Sequence, residues 1–136
     1  MPFGEGDGAS APGGTMRTDL AKQNAITLET KRHMWRERIA PLITDELIEE
    51  HRRNPIGLHS AALDAVLYFV RSDPTPHLPR LVVIIVTPAQ EWAIGEHSRQ
   101  KGVPILVRPA IYTSIEEIEH AIFLERLRIV RQEFGS

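Results

Sequence analysis

The stretch Ser114–Phe134, SIEEIEHAIFLERLRIVRQEF, decides the fold class. Ser114 followed three residues later by Glu117 is a capping-box signature, so a long helix opens there and runs to about Phe134. With about 100° of rotation per residue, its apolar side chains fall into two groups. Ile115, Ile118, Ile122 and Ile129 form one stripe, and Phe123, Leu127, Val130 and Phe134 form another, roughly 130° away. Glu119 and Arg126 lie between the stripes on one side. A helix with two apolar stripes touches two things. The isoleucine stripe, Ile118 and Ile122 above all, is expected on the domain's own sheet. The stripe of Phe123, Leu127 and Val130 is the candidate partner-facing surface, or else the seam with the N-terminal helices. Trp35 and Trp92 are next in line as aromatic anchors for a partner.

Upstream of this helix the pattern changes period. Leu81–Val86, LVVIIV, is too short for a helix and β-branched, so it reads as a buried strand. Thr87–Pro88–Ala89–Gln90 is a turn with proline at its second position. Glu91 to Ser98 is the returning strand, weakened by Gly95, and Lys101–Gly102 turns again. Pro104 to Val107 and then Ile111 and Tyr112 are short extended pieces, with Pro109 favouring an edge.

Further back the signals are helical. Asp19 to Ile39 carries a weak helical pattern, with a break expected between Ala25 and Leu28, where Thr27 could cap a second helix. Pro41 stops or kinks that run. Thr44 caps a short helix to Arg53, with Asp45 and Glu46 in its first turn and Arg52 and Arg53 in its last, a charge order that suits the helix dipole. Ser60 caps another, whose apolar positions are Leu63, Val66, Leu67, Phe69 and Val70, and Asp73–Pro74–Thr75–Pro76 closes it. Residues Pro2 to Thr15 hold five glycines and only one large apolar side chain, Phe3. This segment reads as a disordered leader over residues 1–15, with Met16 as an alternative natural start and a single domain over residues 16–136. The fold class is therefore α+β and helix-rich: N-terminal helices, a small antiparallel hairpin or meander, and a long C-terminal helix.

Composition narrows the chemistry. The 136 residues include no cysteine, which removes disulfides, thiol redox chemistry and a cysteine nucleophile. Net charge is −2, without the basic excess of a nucleic-acid binder. The six-residue run Leu81–Val86 is far short of the roughly 20 apolar residues that span a bilayer, so a cytoplasmic protein is expected. Glu117-x-x-His120 has the spacing of a di-iron helix, but a second Glu-x-x-His is missing, and no metal ligand is assigned. His59, Ser60 and Asp64 could suggest a hydrolytic triad, yet Ser60 is explained as a cap and no nucleophile elbow is present. No catalytic or cofactor-binding residue is assigned. Arginine outnumbers lysine 13 to 3, a bias that suits carboxylate pairing but that a GC-rich genome also produces.

One resemblance adds to this. Glu49–Ser60, EEHRRNPIGLHS, then Leu63 and Tyr68–Phe69 before the Asp73–Pro74–Thr75 stop, then Glu91–Trp92 and Ser114–Leu127, run in an order that resembles the small subunit of N,N-dimethylformamidase. The similarity extends from Ile39 to Phe134. LVVIIVTPAQ and VPILVRPAIY are only loosely similar, and Glu125 stands where the resemblance implies a basic residue. The resemblance implies a heterotetramer of two small and two large subunits that hydrolyses a small N-substituted amide. In that arrangement the large subunit carries iron and the catalytic residues, and the small subunit is a structural partner with no cofactor of its own. The alternative is a free-standing homodimeric adaptor.

Overall fold

The structure is a computed structural model that describes residues 12–135, with side chains from Lys22 onward. The first helix, α1 (Pro12–Met34), is continuous. It contains no break at Thr27, and it begins inside the segment read as leader. Proline suits a first helical position because its missing N–H would have had no intrahelical partner there. The rest of that leader, residues 1–11, lies outside the described residues. Within α1, Arg32 reaches back to Glu29 at 2.7 Å, and the Thr30 hydroxyl donates to the Ile26 carbonyl at 2.9 Å.

Pro41 shapes the chain just before it. A proline ring crowds the carbonyl four residues earlier and supplies no N–H, so an α-helical ladder cannot run through it. The backbone instead widens into a π-turn over Trp35–Ile39, closed by Ala40 N–H donating to the Trp35 carbonyl, and then tightens into a 3-10 turn over Ala40–Leu42. This places Trp35 and Ile39 inward, at 0% and 6% exposure.

Three caps named by the sequence are in place. The Thr44 hydroxyl accepts from Leu47 N–H at the start of α2 (Asp45–Arg53), and Ser60 accepts from Leu63 N–H at the start of α3 (Ala61–Arg71). Ser114 accepts from Glu117 N–H at the start of α4 (Ile115–Phe134), while its own hydroxyl donates to Glu116. Each cap satisfies one backbone donor that the first helical turn leaves without a partner.

The sheet has three antiparallel strands in the order β1 (Arg80–Thr87), β2 (Glu91–His97), β3 (Leu106–Val107). Trp92 and Tyr112 extend it by exchanging two backbone hydrogen bonds of 2.8 Å. The hairpin turn is closed by Gln90 N–H donating to the Thr87 carbonyl at 3.0 Å, and Ala89 sits at φ +61°. That left-handed conformation costs an L-residue about 1 kcal/mol or more and costs glycine nothing. Ala89→Gly is therefore expected to raise stability by about 0.5–1 kcal/mol, read as an upward shift of the urea midpoint.

α4 packs against the sheet through the isoleucine stripe. Ile118 and Ile122 form one buried cluster with Leu81 and Ile94, and Ile115 and Ile129 border it. The second stripe is equally buried. Phe123, Leu127, Val130 and Phe134 are 1–3% exposed, on a helix that also contacts α2 and α3. The Phe123 ring lies 4.1 Å from that of His51 on α2, and Trp35 lies 5.7 Å from Phe69 on α3. Trp35 also closes the far end of α4. Its indole N–H donates to the Gly135 carbonyl at 2.6 Å, and Arg36 donates to the Phe134 carbonyl at 2.9 Å, satisfying carbonyls that the last turn exposes.

Candidate partner interface

The assignment of Phe123, Leu127, Val130 and Trp35 to a partner surface is corrected by this packing. All four are 0–3% exposed in the single chain, so they have no area left to offer. The physical reason is that the second stripe of α4 is the seam with α2 and α3, and the indole N–H of Trp35 is used internally. Trp92 is half-buried and packs against the Leu81–Ile118 cluster from its margin.

Open apolar area lies elsewhere, and strand geometry explains where. Side chains alternate along a strand, and residues paired across an antiparallel ladder share a face. Val83 is paired with Ile94 and Ile85 with Trp92, so these residues share the face under α4. Val82 is paired with Gly95, Ile84 with Ala93, and Gly95 in turn with Val107. These lie on the opposite face, which is apolar through its middle and carries the paired Arg80 and His97 at one end. Ile84 and Ile105 close over Gly95 so tightly that a Cβ there would stand 2.7 Å from Ile105 and 2.8 Å from Ile84. That is why a glycine interrupts this strand. Ile105 and Val107 remain 39% and 49% exposed. Val86, displaced by an irregularity between Ile85 and Thr87, is 45% exposed, and Ile111 47%. The sequence predicts a buried strand at LVVIIV, but in the single chain only Leu81 is buried and Ile85 and Val86 are open.

A sequence signal for this face existed. A run of β-branched residues without alternation is the pattern of a strand covered on both sides. Here α4 covers one side. On the other side, among the described residues, Ile105 and Val107 stay exposed beside the half-buried Val82 and Ile84, and exposed apolar area of this kind marks interaction sites.

Comparison with known proteins settles the family. The model of the N,N-dimethylformamidase alpha subunit matches residues 26–135. The chain belongs to that family. It is also 31% identical, over 116 residues, to the N,N-dimethylformamidase alpha subunit of Paracoccus aminophilus, covering 74% of this chain and 73% of that protein.

In this dimethylformamidase alpha-subunit chain the segment EEHRRNPIGLHS is a self-tied connection between α2 and α3. The Glu50 carboxylate accepts from both the backbone N–H and the hydroxyl of Ser60, each at 2.7 Å. Those bonds hold its carboxyl below the usual carboxylate range. His59 Nε2 donates to the Asn54 carbonyl at 2.7 Å, and the Asn54 amide donates to the Leu58 carbonyl at 3.1 Å. Ser60 thus spends its proton on Glu50 and a lone pair on the Leu63 N–H. Its place in the structure is that of a cap. The same tying leaves Leu58 96% exposed at the tip of the connection.

Glu125, the departure from the resemblance, has a local cause. It accepts from Arg108 at 2.8 Å and Arg128 at 3.1 Å, while Arg108 also pairs with Glu96 at 2.9 Å, so the carboxylate fastens the end of β3 to α4.

Iron, which the family resemblance implies for the assembly, does not fit the side chains gathered here. His51 and His120 direct Nδ1 at each other over 2.9 Å, Glu49 is engaged by Arg52 and Arg53, and Glu50 by Ser60. Among the described residues no three such groups converge on one point.

Proposed function

We propose that this chain is the non-catalytic small subunit of an iron-dependent amidohydrolase of the dimethylformamidase type, and that it docks a separate large subunit through the open face of its sheet. Chemistry on a small N-substituted amide, and the iron, belong to that large chain, in a heterotetramer working in the cytoplasm. Membership of the alpha-subunit family supports a partner. The observation that carries the docking surface is the apolar face formed by Val82, Ile84, Ile105 and Val107, on which, among the described residues, Ile105 and Val107 stay exposed and Val82 and Ile84 half-buried. Apolar area of this kind is expensive to leave in water, at about 25 cal/mol per Å².

Co-expression with the large subunit tests this. Val107→Asp places a charge on an exposed position, so the isolated chain should keep its helical circular dichroism and its melting transition. Capture of the large subunit should fall at least tenfold, because a carboxylate buried at an interface without a counterion costs several kcal/mol. Undiminished capture with Val107→Asp would remove the sheet face from the interface.

Among the described residues the outer edge of β1 has no strand beside it, which favours a second reading, a homodimer made by edge-to-edge strand pairing. A chain that sediments as a dimer in the absence of the large subunit, and ignores the large subunit when it is present, would support that adaptor reading instead.

A further inference from the structure

A cleft of about 350 Å³ lies between the end of α3, the loop that follows it, the start of β1 and one flank of α4. Its size falls within the roughly 300–1,000 Å³ of small-molecule sites. Three guanidiniums line it: Arg71 from α3, Arg80 from β1 and Arg126 from α4. Among the described residues none of the three has a hydrogen bond or an ion pair within 4 Å. Arg126 is the most telling. It is half-buried, and burial works against its charge more than anything else around it does, with Arg71 and Arg80 adding repulsion. Glu119 is the nearby carboxylate that favours the charge, acting through space without reaching ion-pair distance.

The wall opposite is built rigidly. Arg99 donates to both oxygens of Asp73, at 2.9 and 2.6 Å, and through Nε to the Leu78 carbonyl at 2.6 Å. Among the described residues, Asp73 and Arg99 are also two of the three non-glycine residues with positive φ, at 59° and 72°. Strained backbone of this kind persists where the surroundings over-determine it, and it clusters at ligand sites. Counting Arg99, four guanidiniums face two carboxylates in the cleft, a net charge of +2. Between the charges Ile129 and Pro79 offer apolar surface, with the buried Val70 and Leu81 behind them.

We infer that this cleft binds a small organic carboxylate, its two oxygens taken by Arg126 with Arg71 and Arg80 flanking, and its apolar body laid along Pro79 and Ile129. A planar guanidinium takes a carboxylate through two parallel hydrogen bonds, which a compact ammonium does not reproduce. The apolar lining distinguishes such a ligand from an inorganic oxyanion.

Titration of the full chain with benzoate and butyrate, followed by amide and arginine Nε–H resonances, tests the assignment, with sulfate as the comparison. Saturable shifts at Arg126 and Ile129 are expected for both carboxylates, with sulfate weaker because it gains nothing from the apolar surface of Ile129 and Pro79. Arg126→Gln should keep the wild-type melting transition, since it removes a charge without an ion-pair partner, and should weaken benzoate at least tenfold. Arg80→Gln, at an exposed position, should weaken it less and provides a second variant should the first misfold. No saturable shift, equal binding of sulfate, or benzoate binding untouched by both substitutions would overturn the proposal. Loss of large-subunit capture by Arg126→Gln, without any benzoate binding by the wild type, would assign the cleft to a partner's carboxylate and also overturn it.

Discussion

Leu127→Asp is expected to leave no folded protein, with or without a partner. Leu127 is 1% exposed, on the stripe of α4 that forms the seam with α2 and α3. Removing a buried leucine costs about 2–5 kcal/mol. Placing a carboxylate there adds the burial of a charge, which alone costs several kcal/mol unless it is paired. A domain of this size has a total stability of about 5–15 kcal/mol, so the two costs together consume most or all of it. Far-ultraviolet circular dichroism and limited proteolysis of the isolated variant should report an unfolded chain. A folded Leu127→Asp chain that merely loses its large subunit would mean that the seam opens on binding, and would return the stripe to the interface.

The contrast between Leu127 and Val107 shows what was legible in the sequence. Caps are local: Thr44, Ser60 and Ser114 each bond a backbone N–H three residues on, so spacing alone located three helices. The hairpin was equally local, since Thr87–Pro88–Ala89–Gln90 fixes the turn and β2 follows by pairing. The isoleucine stripe went to the sheet as its periodicity required. Failure began where a face had to be given an occupant. Two stripes on α4 are compatible with two internal neighbours, and periodicity cannot tell a helix from another chain. Trp35 was a poor anchor for the same reason: whether an indole N–H meets solvent or the Gly135 carbonyl, 100 residues away, is decided only by the folded path. The arginine cleft was hidden more deeply. Arg126 was singled out beside Glu119, but its neighbours Arg71 and Arg80 arrive from α3 and β1, and no linear motif joins them.

Acidification from pH 7 to pH 5 is expected to destabilise the chain by about 2 kcal/mol, through the histidine seam between α2 and α4. His51 is 1% exposed, and its Nδ1 lies 2.9 Å from Nδ1 of His120. A hydrogen bond between two such nitrogens needs one that carries hydrogen and one that is bare, so at least one ring must be neutral. The surroundings reinforce this. Burial first, then the neighbouring His120, His59 and Arg71, push the His51 pKa down to about 4, against a smaller opposing pull from Glu50. His120 is lowered as well, by burial and then by Arg52, with Glu49 opposing. A histidine depressed in the folded state binds its proton more readily when unfolded. Its contribution to stability is therefore complete above the unfolded value of about 6.5 and is lost as the pH falls toward 4. The carboxylates with lowered values, Glu49 at about 2 and Glu50 and Glu125 below their usual range, depart from a reference of 4.5 and act on the acid side of this window. Urea unfolding at pH 7 and pH 5 measures the loss. In His51→Phe, whose ring can keep the stacking on Phe123, most of the difference should disappear. Stability that stays level or rises on acidification of the wild type would show that the His51–His120 pair does not exist in the folded chain as described.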